Sequence, residues 1–188
     1  ERVANKVKTY PINRDTIALP SIPEATSYPE VEITNPLRYE QWLITNTFEQ
    51  KQKGFYGVYI KVPVGDIPTE VARKLVVAIS PYAADEVRVT QNQGLLLKFV
   101  RKEALPALYN ALTELDMSTP GFDSVADVTT CPGTDTCNLG ISNSMTLARV
   151  LEDLIFREYE DFVINRDIKI KISGCMNSCG QHGIAHIG

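Results

Sequence analysis

The four cysteines of this 188-residue chain fall into two pairs, CPGTDTC at 131–137 and CMNSC at 175–179, and each pair directly follows a stretch patterned as a β-strand. SVADVTT leads into the first pair and IKIKIS into the second. Two strand ends at one edge of a sheet would bring both pairs together. The loops carry residues suited to close approach: Pro132 and Gly133 turn the first tightly, while Gly174 and Gly180 flank the second without side-chain bulk. If CMNSC begins a helical turn, Cys175 and Cys179 share one face with Cβ atoms about 5–6 Å apart.

Three kinds of chemistry use four cysteines. They are reduced structural thiols or two disulfides, a zinc site, or an iron-sulfur cluster. A chain of this length buries roughly 70% of the surface that its unfolded form exposes, so it has no need of disulfides to compensate for a small core. The residues between the cysteines are mostly Gly, Pro, Asn, Ser and Thr, which also argues against packing as their role. Structural zinc sites usually use closer CxxC pairs than the x5 and x3 spacings found here. An iron-sulfur cluster accepts more varied spacing. A zinc-stabilised structural or interaction domain is the alternative reading.

Upstream, residues 1–45 carry Pro11, Pro20, Pro23, Pro29 and Pro36 without sustained periodicity, which predicts an extended N-terminal arm ending near Trp42. GFYGVYIKVPVG alternates and is rich in β-branched and aromatic residues, as a strand is. Asp66 as N-cap and Pro68 in the first turn open a helix to about Ser80, with Val71, Leu75, Val76 and Ile79 as its apolar face. EVRVTQ and GLLLKFVR are two more strands across a polar turn, and ALPALYNALTEL is a helix. This β-α-β-β-α order is ferredoxin-like. Thr119-Pro120-Gly121 marks a boundary. Beyond it a helix is expected from about Gly140 to Tyr159, burying Met145, Ala148, Val150, Leu151 and Leu154. The fold class is α+β, in three parts: an arm over 1–50, a half-domain over 51–120, and a cysteine-bearing α/β part over 121–188.

A formal charge of -4 and a pI near 5.3 argue against a nucleic-acid binder. KGFYGVYI partly echoes an RNA-recognition strand motif, but fails at its small residue and at its final aromatic. No apolar run reaches the length of a membrane span, and ERVANKVKTY lacks the apolar core of a secretory signal. A cytoplasmic setting is the expectation.

With these residues in view, CPGTDTC and SGCMNSCGQHGIAHIG resemble the C-x5-C…C-x3-C signature of the sirohaem-dependent nitrite and sulfite reductases. Thr90-Gln91-Asn92-Gln93 and NTFEQKQKGFYGVYIKVPVGD resemble that family's ferredoxin-like half-domain. The resemblance covers about residues 36–188. It implies a [4Fe-4S] cluster on Cys131, Cys137, Cys175 and Cys179, with Cys179 also bridging to sirohaem, and a six-electron reduction of nitrite to ammonia or sulfite to sulfide. It places Asn177, Asn92 and Gln93 near the sirohaem, and Arg88 and Lys98 within reach of its carboxylates. It also implies a ferredoxin-like or reductase-subunit electron donor and a small oxyanion substrate. His182 and His186, separated by Gly183, read as scaffold, not as metal ligands.

The resemblance is to the second of two half-units in such enzymes. The arginines and lysines that grip substrate lie mainly in the first half-unit, so no anion-binding residue is assigned here. The expectation is an incomplete enzyme, inactive alone, whose partner is the missing first half.

Overall fold

The computed structural model describes residues 20–24 and 27–188. The first 19 residues of the anticipated N-terminal arm, with residues 25 and 26, lie outside the described residues.

The stretch nearest the half-domain is not extended. Residues Pro36–Asn46 form a helix, α1, whose N-cap Asn35 accepts the Arg38 N–H at 3.1 Å and whose first turn holds Pro36. A proline at this position costs nothing, because the first-turn N–H groups have no helical partner. The helix buries Gln41, Trp42, Thr45 and Asn46. Trp42 is fully enclosed, with ring centroids of Tyr39 and Tyr109 at 6.0 and 5.2 Å. Several scattered prolines suggested an arm, and a single Asn-Pro cap overrides them.

After α1 come β1 (Thr47–Glu49), β2 (Phe55–Ile60), α2 (Thr69–Ile79), β3 (Val87–Val89), β4 (Leu95–Arg101) and α3 (Leu105–Thr113). The four strands make an antiparallel sheet in the order β1-β2-β4-β3. From β2 to α3 the order is the β-α-β-β-α of a ferredoxin-like half-domain. The core lies between the sheet and helices α1, α2 and α3, around Trp42, Val58, Ile60, Leu97, Val100, Leu108 and Leu112. Helix α2 begins two residues later than expected, with Pro68 and not Asp66 at the N-cap, and no side chain caps it. Only Leu75 and Ile79 of its predicted face are buried, and Val76 is left 63% exposed.

The remainder contains β5 (Thr129–Thr130), α4 (Ser144–Glu158) and β6 (Lys171–Ile172), with β5 and β6 paired in parallel. Both strands are shorter than their patterns suggested. Ser124 Oγ accepts the Ala126 N–H at 3.1 Å and donates to the Gly121 carbonyl at 2.7 Å, so SVADV is locally turned instead of extended. Asn143 caps α4 by accepting the Thr146 N–H at 3.0 Å, which starts the helix at Ser144 and not at Gly140. Its buried face is Ser144, Ala148, Glu152 and Ile155, while Val150 is 56% exposed. This face joins Val64, Ala126, Val128, Val163 and Ile170 in a second core.

Candidate functional site

Parallel pairing of β5 and β6 brings the two cysteine loops out side by side. Cys131 follows β5 and donates its N–H to the Ile172 carbonyl at 3.2 Å. The loops then interlock through backbone. Ile141 and Ser142 both donate to the Gly174 carbonyl, at 2.8 and 3.1 Å. A Cβ on Gly174 would lie 2.6 Å from the Gly133 Cα, and one on Gly180 would run into the Ile172 carbonyl and stand 3.0 Å from the Cys131 nitrogen. Only glycine allows these approaches, as the sequence suggested for Gly174 and Gly180.

Cys131 is buried, and its Sγ accepts the Gly174 N–H at 3.1 Å and lies 3.6 Å from Ser144 Oγ. Burial pushes the thiol pKa up. The Gly174 amide, the Ser144 hydroxyl and the Gly133 amide outweigh it, so the pKa falls below the ordinary cysteine value. The site therefore eases loss of the Cys131 proton. Cys175 is half-buried, while Cys137 and Cys179 are exposed, and all four cysteines are free. CMNSC does not form a helical turn, because Ser178 adopts φ 58°, in the left-handed region. The backbone brings the two pairs to one edge, with Cys131 anchored against the second loop. Among the described residues no three His, Cys, Asp or Glu side chains converge to hold a metal ion. Four free thiols carried on two loops at one edge are a donor set that suits an iron-sulfur cluster, with Cys137 and Cys179 on the exposed side.

Asn92 and Gln93 reach the lead-in to Cys131. Asn92 Nδ2 donates to Asp123 Oδ1 at 2.9 Å, and the Gln93 amide makes two hydrogen bonds to the Thr130 backbone. Arg88 and Lys98 are both engaged by Glu86, at 2.7 and 3.0 Å. That pairing satisfies locally the charges expected at a cofactor carboxylate. His186 Nδ1 accepts the Lys169 N–H at 3.1 Å, a scaffold role. His182 lines a cavity of about 570 Å³ beside the second loop, together with Ile141, Leu151, Ile172, Cys175 and Met176. Asn177 sits between the second pair, in the turn after Cys175.

Sequence reasoning missed the charged network beneath this edge. Lys61 pairs with Glu152 at 3.0 Å, donates to the Ala126 carbonyl and lies 5.0 Å from the Phe156 ring centroid. Glu152 Oε1 accepts the Val128 N–H at 2.8 Å. Asp127 is pushed up to about 6 by desolvation, which Lys61 partly opposes. Lys171 donates to Thr129 Oγ1 and Gln181 Oε1, and burial lowers its pKa against the pull of Asp123 and Asp127. One signal was legible: Glu152 falls on the apolar stripe of its helix, four residues after Ala148 and three before Ile155.

Comparison with known proteins agrees with this arrangement. Residues 48–115 match the Nitrite/Sulfite reductase ferredoxin-like half domain, and residues 121–188 match the Nitrite and sulphite reductase 4Fe-4S domain. The ferredoxin--nitrite reductase of Synechococcus elongatus is 30% identical over 139 residues, 74% of this chain and 27% of that protein. The assimilatory-type sulfite reductase of Nitratidesulfovibrio vulgaris is 27% identical over 139 residues, 74% of this chain and 62% of that protein. The fold is similar to that of Mycobacterium tuberculosis NirA, with a TM-score of 0.62 at 22% identity over 73% of this chain and 25% of that one. The chain thus spans about a quarter of the length of the cyanobacterial enzyme. Nothing in these matches supports a zinc domain. Two consecutive segments of the chain match the two domain types in turn, and the chain belongs to the nitrite and sulfite reductase family.

Proposed function

We propose that this polypeptide works in the six-electron reduction of nitrite to ammonia or of sulfite to sulfide, with Cys131, Cys137, Cys175 and Cys179 holding a [4Fe-4S] cluster and Cys179 bridging to sirohaem. The observation that carries this reading is the interlocking of the two cysteine loops at the ends of β5 and β6, through Gly133, Gly174 and Gly180. When bound, the coupled cluster and haem store electrons beside the position that takes the substrate anion.

The chain's own residues supply placement. The Gly174 amide holds the Cys131 Sγ and the Ser144 hydroxyl holds the Cys131 carbonyl, which keeps this cysteine in place to ligate. Asn177 and Asn92 frame the edge at which sirohaem would lie. In this reading the half-domain runs over 51–120 and the cofactor domain over 121–188. The first half-unit completes the sirohaem cradle and brings the cations that grip the anion, in keeping with the greater length of the relatives. Electrons come singly from a ferredoxin-like or reductase-subunit donor. Alone, the chain is inactive and holds sirohaem weakly. The setting is cytoplasmic, and among the described residues no helix is long and apolar enough to cross a membrane.

Visible spectroscopy and a reduced-viologen assay test this reading. The chain mixed with sirohaem should show neither a stoichiometric Soret band nor nitrite- or sulfite-dependent viologen oxidation, and adding a first half-unit from a family member should restore both. Stoichiometric sirohaem and turnover by the chain alone would overturn the division of labour. No haem band under either condition would overturn the sirohaem assignment.

A further inference from the structure

The peptide of Thr130 immediately precedes Cys131 and is fully buried. Strand β6 covers one edge of β5, where the Cys131 N–H donates to Ile172. The N–H and C=O of Thr130 point to the other edge, as alternate residues of a strand do. The side chain of Gln93 occupies that edge. Its Oε1 accepts the Thr130 N–H at 2.9 Å and its Nε2 donates to the Thr130 carbonyl at 2.7 Å. Along one edge a primary amide presents one N–H donor beside one acceptor, in nearly the spacing of a peptide, so it serves Thr130 as a third strand would. Left bare, two buried backbone groups would each bear a desolvation cost.

Gln93 is itself fixed from behind. It sits at φ 64° in the turn between β3 and β4, and donates its N–H to the Thr90 carbonyl at 3.2 Å. Gly65 backs against it so closely that a Cβ there would stand 3.0 Å from the Gln93 Cβ. The half-domain also ties the same lead-in through Asn92 to Asp123 and through Lys61 to Ala126. The bond pair from Gln93 is the last before the thiol.

We propose that Gln93 is a positioning residue for Cys131: its amide fixes the Thr130 peptide and so holds the Cys131 thiol at the Gly174 N–H, in place to ligate. This rests on the reading of Cys131 as a cluster ligand.

The test compares the full chain with Gln93→Met, which keeps the length and removes both bonds, and Gln93→Glu, which keeps only the acceptor. The first readout is alkylation of each cysteine in the reduced apo chain, resolved by mass spectrometry. Cys131 should react about tenfold faster in Gln93→Met, the factor for losing one to two net hydrogen bonds. Gln93→Glu should fall between, and exposed Cys137 should not change. The second readout is the electron paramagnetic resonance spectrum and reduction potential after anaerobic reconstitution, both of which should shift in Gln93→Met. An unchanged Cys131 rate and spectrum in a folded variant would overturn the proposal, as would all four cysteines accelerating together. If Gln93→Met does not fold, Gln93→Glu decides by the same criteria. Failure of the wild-type chain to take up iron would count against the cluster assignment, and the alkylation result would still decide the clamp.

Discussion

Lys61 Nζ lies 3.0 Å from Glu152 Oε2, with side chains only 1% and 8% exposed, so a charge from the end of the half-domain sheet is neutralised by one from the helix behind the cysteine edge. Glu152 in turn holds the Val128 amide, three residues before Cys131. The pair ties the two cores together.

Removing one partner strands the other charge in the interior. Lys61→Met or Glu152→Gln should each lower unfolding free energy by about 3–5 kcal/mol. The double variant Lys61→Met with Glu152→Leu should recover much of that loss, because neither charge then remains to be solvated. Urea unfolding of the three variants checks this. Equal or additive losses in the double variant would mean that the pair is not the origin of the effect.

Asp127 gives a pH signature. Its folded pKa of about 6 stands above the ordinary 3.8, so ionisation opposes folding. The penalty is absent below about pH 4, develops between pH 4 and 6, and is complete above that window. Asp127→Asn should therefore stabilise the chain at pH 7.5 by about 1–3 kcal/mol and match wild type near pH 4. A stability difference that does not vary with pH would contradict desolvation as its cause.

Gly180 is held against the Ile172 carbonyl and the Cys131 nitrogen. Gly180→Ala must push the second loop away from β6, at about 1–3 kcal/mol. The distinguishing result is local: Cys131 and Cys175 should gain reactivity towards a thiol reagent, while a thermal scan still reports a cooperative transition. Protection of both cysteines in the variant would refute the close approach.

Trp42 ties α1 to the half-domain core. Trp42→Ala should cost about 3–5 kcal/mol. Trp42→Phe should cost less, because it keeps the ring packing with Tyr109 and removes an indole N–H that has no hydrogen-bond partner. A larger loss for Phe than for Ala would contradict this packing.

Much of the fold was readable because its periodicities are local. The alternation around Phe55–Ile60 and Leu95–Arg101 gave the two central strands, and the cysteine spacing gave the candidate site. Helix α1 was missed because prolines upstream hid a cap made by two adjacent residues, Asn35 and Pro36. Strand β5 was overextended because SVADV alternates in sequence, yet Ser124 bonds its own neighbourhood. The partners of Lys61, Asp127 and Gln93 could not be read, since each lies 37 or more residues away or depends on burial that no local pattern encodes. Arg88 and Lys98 show the converse: their partner, Glu86, was two and twelve residues away and visible in the sequence.

The central claim is that the interlocked loops hold a four-iron cluster. Iron and acid-labile sulfide per chain, measured after anaerobic reconstitution of the wild type and of Cys131→Ser, Cys137→Ser, Cys175→Ser and Cys179→Ser, test it most directly. Wild type should carry about four irons and about four sulfides, with loss of most of both in every serine variant. One zinc with no iron, or iron that survives replacement of Cys131 and Cys175, would contradict it.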